Sequence, residues 1–302
     1  MANSERAIGR RWAGLLSLLT GWFCLGLPVV GATQLSLTSE HPQQGETIEV
    51  TVVGGGTAGE AQPAVEFNGA QYRLFPAPSG DGSGSPVPGD APPDSPTLKT
   101  LIAVPADLAI GTYTLTCGRL KRTVSVTSGH YPVQRLRLPK ARAELQPGPG
   151  EQEAVDGAKK IQSPERLWDG QFRVPCQARV SAGYGIRRVV NGKLLKDYFH
   201  SGIDYAGGLG ASVRAPADGR VMLASTGFRL HGNTISLDHG QGVVTFYIHL
   251  QKILVKHGQL VKAGDLIGKV GQSGRANGPH LHFSLYVNQV AANPVYWYRR
   301  AF

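Results

Sequence analysis

The sequence predicts an all-β chain of two domains, an N-terminal Ig-like β-sandwich followed by an antiparallel β-sheet domain. Three observations carry this. Glycine is abundant, 40 of 302 residues, while only 17% of residues are charged, a balance that suits strands joined by tight turns better than helical bundles. Apolar residues recur in short alternating runs, as expected of half-buried strands. No segment after residue 163 has helical length and amphipathic period.

The elements follow in order. Residues 1–32 have the layout of a signal peptide. Arg6, Arg10 and Arg11 precede an uncharged apolar run from Trp12 to Leu27, and Val30-Gly31-Ala32 offers small residues for cleavage after Ala32. Residues 33–127 are expected to form the sandwich. Its strands lie at Thr47–Val53, Ala64–Phe67, Gln71–Phe75, Leu98–Val104, Thr112–Cys117 and Thr123–Thr127. Asn68-Gly69 marks a hairpin. Pro, Gly and Ser occupy 15 of the 22 positions from 76 to 97, so this stretch is expected to be a disordered surface insertion. Residues 128–163, with Pro132, Pro139 and Pro147-Gly-Pro-Gly150, are expected to be a linker. Residues 164–302 then supply strands at 219–224, 233–238, 243–250, 266–270 and 282–287, separated by glycines.

Lysine and arginine number 31 against 21 acids, a formal charge of +10. Loss of the signal, with three arginines and one glutamate, leaves +8. Such a chain is drawn to anionic surfaces such as cell wall or lipid headgroups. No basic helix or finger motif points to nucleic acid, and export argues against it. No later segment is long and apolar enough for stable membrane insertion after signal removal. The expected address is periplasm or cell envelope. Cys117 and Cys176 are either a disulfide or two buried thiols.

The chemistry is concentrated in histidines. In the His280-Leu-His282 strand, alternation places His280 and His282 on one face with Ser284 and Tyr286. The same parity puts His249 on a polar face with Thr245 and Tyr247. His200 and Asp204, four apart, fall on one side of an extended segment. A catalytic tetrahedral Zn²⁺ site uses three N/O protein ligands and a water. His200, Asp204 and one of His280/His282 would complete it, leaving other histidines for proton transfer. The count of one Zn²⁺ per chain follows. His231, His239 and His257 are expected to be structural or surface residues, while Tyr184 and Tyr247 either line the groove or lie in the core.

From Val180 to Trp297 these residues resemble the LytM/lysostaphin-type zinc metallopeptidases of bacterial cell walls. The resemblance rests on Gly183-Tyr-Gly185, His200-Ser-Gly-Ile-Asp204, Val213–Val221, Asp238-His-Gly240, Tyr247-Ile-His-Leu250, Val261–Gly268 and Gly271–His282. It implies that His200, Asp204 and His282 ligate zinc, that His249 and His280 are catalytic without ligating it, and that peptidoglycan cross-bridges are hydrolysed through a zinc-bound water. His280 is the expected base and His249 the expected oxyanion donor. The first domain is similar to the β-sandwich that precedes this domain in some members. Two rivals differ in class. A non-cutting regulator of another wall hydrolase would lack some of the five residues. A lipoyl-type carrier domain would need one modified lysine and no His-Leu-His.

Overall fold

In a computed structural model of the chain, residues 34–54, 64–77, 96–137, 139–140 and 144–302 are described. The signal peptide and most of the 76–97 insertion lie outside them. Among the described residues no helix is long and apolar enough to cross a membrane.

The first domain is two four-stranded antiparallel sheets face to face. One orders Gln34–Leu37, Thr47–Val53, Thr97–Ala103 and Phe75–Pro76; the other orders Ala70–Tyr72, Val65–Phe67, Gly111–Cys117 and Leu120–Val126. Alternation works as expected: Ile48, Val50 and Val52 point inward from one sheet to meet Val65, Phe67, Leu115 and Val124 of the other. Asn68 and Gly69 have φ of 48° and 74° and close the two-residue turn between paired Phe67 and Ala70, as a type I′ hairpin requires. Expected strand 71–75 is instead broken at Arg73-Leu74, because Phe75–Pro76 crosses to the other sheet.

The second domain is built on a ten-stranded sheet, beside which Lys193–Phe199 and Arg187–Val190 belong to a separate three-stranded sheet. Along its main path run Val180–Ala182, Gly202–Tyr205, Leu281–Val287, Val243–Ile253, Gly232–Gly240, Gly219–Phe228 and Leu260–Val261. One face buries Ile203, Tyr205, Ile235, Leu237, Tyr247, Leu281 and Phe283. Gly202 pairs with Ser284, and a β-carbon at Gly202 would collide with the Phe283 carbonyl oxygen. The glycine of His-Ser-Gly-Ile-Asp is thus what lets these two strands close up.

The 128–163 segment differs from the expected linker. Val133–Leu136 pairs in parallel with Arg187–Val190, and Glu151–Lys159 is a helix. Val155 and Ala158 of this helix pack on Val244 and Phe246. Its start follows Pro147-Gly-Pro-Gly150, with acids in the first turn and Lys159 in the last, matching the helix dipole. Nine residues do not hold a helix alone in water; tertiary packing does.

The two domains are joined by an apolar seam. Leu101 and Ala103 pack with Val243, Leu285, Val287, Trp297 and Phe302. Trp297 Nε1 donates to Thr47 Oγ1 at 3.0 Å, and Asn288 Nδ2 to the Leu101 carbonyl at 2.8 Å. The six-residue helix Pro294–Arg299 supplies Trp297; Asn293 caps it by accepting from Val295 N. Cys117 and Cys176 are unpaired and buried in separate cores, which settles them as two thiols.

Candidate metal centre

Strand pairing places Asp204 opposite His282 and Gly202 opposite Ser284. These residues lie on the face away from the core formed by Ile203, Tyr205, Leu281 and Phe283. His200 sits just before its strand, held by bonds from its N to Ile186 O and from Gly185 N to its own carbonyl, both 2.8 Å. His200 Nε2 lies 3.0 Å from Asp204 Oδ1 and 3.0 Å from His282 Nδ1. His282 Nδ1 lies 2.8 Å from Asp204 Oδ1. Among the described residues these three form the group able to hold a metal ion.

The surroundings fix the rings. His200 Nδ1–H donates to the Gly183 carbonyl at 2.6 Å, so Nε2 faces the cluster. His282 Nε2 lies 2.7 Å from Ser284 Oγ, which turns Nδ1 toward Asp204; with a metal at Nδ1 the proton sits on Nε2 and is donated to Ser284. Partners on the far ring nitrogen are what orient metal-binding imidazoles. Burial raises the Asp204 pKa, but the hydrogen bonds and charge that His200 and His282 supply when their rings are protonated more than reverse this and hold the carboxyl well below its ordinary range. Burial first, then the charges of His200 and His280, lower His282 to about 4 against the pull of Asp204. With an ionised Asp204 carboxylate and neutral imidazoles around it near neutral pH, the cluster offers one oxygen and two nitrogen lone pairs to a cation placed between them. The other Asp204 oxygen, Oδ2, lies 3.7 Å from an Arg188 guanidinium nitrogen, and Arg188 donates to Tyr198 OH at 2.9 Å. The donor set fits Zn²⁺, which takes nitrogen and oxygen ligands of this kind.

His249 reaches the same place by a different route from the one its parity predicts. Thr245 and Tyr247 are fully buried on the opposite side, where they form a hydrogen-bonded chain with His239. Tyr184 is also buried. Strict alternation would send His249 to that side. A register shift between Asn233 and Ile235 and a φ of 65° at His249 mark a β-bulge, which re-aims a side chain. His249 thereby joins the site face. Its Nδ1–H donates to Ser273 O at 2.9 Å, and burial with the charges of His280 and His282 lowers its pKa to about 3. His280 Nδ1–H donates to Gly278 O at 2.9 Å, and its Nε2 is 3.9 Å from Asp204 Oδ1. The His249 and His280 rings lie 4.9 Å apart, centroid to centroid.

The structure thus brings together all five expected residues, at the floor of a groove of about 1020 Å³. Sequence reading missed Arg188, Tyr198 and Arg275 on its walls, and missed that Gln134, Val155 and Lys159 of the 128–163 segment also line it. Tyr198 stands two residues before His200, which is the one local signal available. His231, expected to be a structural or surface residue, lines the groove too and is tied to buried Glu151 at 2.7 Å.

Comparison with known proteins places this site. Residues 198–294 match the model of peptidase family M23. A Haemophilus influenzae protein named an uncharacterized metalloprotease is 38% identical over 147 residues, 47% of this chain and 30% of its own length. The peptidoglycan DD-endopeptidase ShyC of Vibrio cholerae is 39% identical over 118 residues, 38% of this chain and 26% of that one. The chain thus spans less than a third of the length of these curated relatives. The crystal structure of a Pseudomonas aeruginosa protein assigned to peptidase M23 shares the fold with a TM-score of 0.54 and 24% identity, covering 82% of this chain and 92% of that one. The segment that carries His200, Asp204, His249, His280 and His282 is a LytM-type peptidase family M23 domain.

Proposed function

We propose that this chain is an exported zinc metalloendopeptidase that hydrolyses peptide cross-bridges of peptidoglycan in the periplasm or cell envelope. The observation that carries this is the convergence of His200, Asp204 and His282, with two further imidazoles beside them, on the floor of an open groove. The similarity to peptidoglycan endopeptidases supports the substrate class, and the basic N-terminal leader supports export.

His200, Asp204 and His282 would hold Zn²⁺, which when bound supplies an acidified water and polarises the scissile carbonyl. His280 Nε2 is free of protein donors and acts as the base that takes a proton and returns it to the leaving amine. The part first expected of His249 changes. With its Nδ1–H committed to Ser273 O, its Nε2 offers a lone pair. Donation to an oxyanion would need the protonated ring, which burial disfavours. His249 is better suited to accept a hydrogen bond from the attacking water and align it. All five positions being present favours cutting over the regulator reading.

Digestion of purified sacculi with and without a chelator tests this. Product masses should correspond to cut peptide bonds and disappear with the chelator, returning when zinc is restored. Intact sacculi under zinc-replete conditions would leave the regulator reading standing.

A further inference from the structure

The loop from Ser273 to Gly278 does two jobs. Its Ser273 carbonyl holds the His249 ring and its Gly278 carbonyl holds the His280 ring. Between those two carbonyls stands Arg275, which lines the groove. The loop is pinned: Arg275 N donates to Leu230 O at 2.9 Å, and Ser273 Oγ accepts from Asn233 N at 2.9 Å and donates to Leu250 O at 2.8 Å. Arg275 is therefore carried on a fixed frame beside the reacting centre.

The charges around the groove do not balance at Arg275. Lys159 is paired with Asp156 at 3.1 Å. Arg188 leans on Asp204 and Tyr198. Asp204 is the acid among the lining residues and belongs to the metal centre. Glu151, behind His231, has its two oxygens taken by five donor groups, the N–H groups of Gly148, Arg229, Leu230 and His231 and the His231 ring. The partly buried Arg275 guanidinium has no hydrogen-bond or ion-pair partner among the described residues, and its charge is felt by Tyr198 and His231. A half-desolvated charge without a partner is unfavourable and gains most from a carboxylate, which a guanidinium meets with two parallel N–H groups.

We infer that Arg275 is a specificity residue that binds a free carboxylate on the peptide substrate, next to the scissile amide. The inference rests on the endopeptidase reading above and sharpens it. A bridge from D-alanine to the side-chain amine of a diamino dicarboxylic acid carries such a carboxylate; a bridge to lysine or through glycine does not.

The test uses the zinc-loaded full chain and two synthetic cross-linked stem peptides, joined by a bond from D-alanine to the side-chain amine of a diamino dicarboxylic acid. In one the carboxyl beside that bond is free; in the other it is a primary amide. Binding is measured by calorimetry and cleavage by product mass, for the unmutated protein, Arg275→Gln and Arg275→Lys. The unmutated protein should bind the free acid about tenfold or more tightly than the amide, the range for a charge-assisted pair, with kcat/KM following. Arg275→Gln should bring the two peptides within about twofold, and Arg275→Lys should keep an intermediate preference. Equal binding by the unmutated protein, or a preference that survives in Arg275→Gln, would overturn the assignment. Should neither peptide be cleaved, the endopeptidase reading fails, yet the binding comparison still decides the role of Arg275. Should Arg275→Gln not fold, Arg275→Lys decides: a preference undiminished from that of the unmutated protein counts against the assignment.

Discussion

Replacing His280 by alanine should leave the metal bound and lower hydrolysis by about 10²–10⁴-fold, the usual contribution of a positioned acid–base group. The reason is geometric. His280 stands at the edge of the cluster, with Nδ1–H on Gly278 O and Nε2 3.9 Å from Asp204 Oδ1, outside the 2.8–3.0 Å spacing that joins His200, Asp204 and His282. Removing its ring takes a proton carrier from the site without removing a ligand. His282→Ala differs, since it removes a ligand and should lose metal and activity together. Zinc content and kcat measured on the same preparations distinguish these outcomes. A His280→Ala protein that cleaves at the normal rate would remove the base assignment.

Glu151→Ala should cost about 3–5 kcal/mol of stability, in the range seen when one member of a buried charged network is deleted. Glu151 is 1% exposed and binds the N–H groups of Gly148, Arg229, Leu230 and His231 together with the His231 ring. Deleting it strands those donors beneath the helix. Burial alone would raise the Glu151 pKa; the hydrogen bonds from Gly148, His231 and Leu230 outweigh it and lower the carboxyl from 4.5 to about 2. A group whose pKa is depressed by folding stabilises the fold fully above its unfolded value and loses that contribution as pH falls through its folded value. The unmutated protein should therefore lose stability between about pH 4.5 and 2 by more than Glu151→Ala does. Denaturant unfolding at several pH values reads this directly, and parallel curves would contradict it. His231 O also accepts from His249 N at 2.9 Å, so the same change should loosen the bulge that aims His249.

Much of this was legible in the sequence because strands write their burial into alternate positions. Thr47–Val53 and Leu266–Val270 appear with the bounds their patterns predict, and the His280-Leu-His282 parity holds because Leu281 and Phe283 are fully buried. The His249 parity failed because a bulge breaks alternation without any residue type announcing it: a histidine with positive φ looks like any other histidine in a sequence. The Glu151–Lys159 helix was hidden for a related reason. Its stability lies in Glu151 reaching residues 229–231 and in Val155 and Ala158 meeting Phe246, contacts roughly 80 to 90 positions away. Arg188 and Tyr198, on the two strands of one hairpin, meet Arg275 from a loop about 80 positions later, and apart from the nearness of Tyr198 to His200 nothing local marks them. The five site residues were visible because motif spacing carries them; the walls that select a substrate were not.

The claim beneath all of this is that two imidazoles and a carboxylate 2.8–3.0 Å apart grip a divalent ion. Elemental analysis of the full chain, purified with zinc available and compared with Asp204→Ala of equal fold content, tests it most directly. The unmutated chain should hold one zinc and the variant far less; unmutated protein that is folded and holds no zinc would sink the metal assignment.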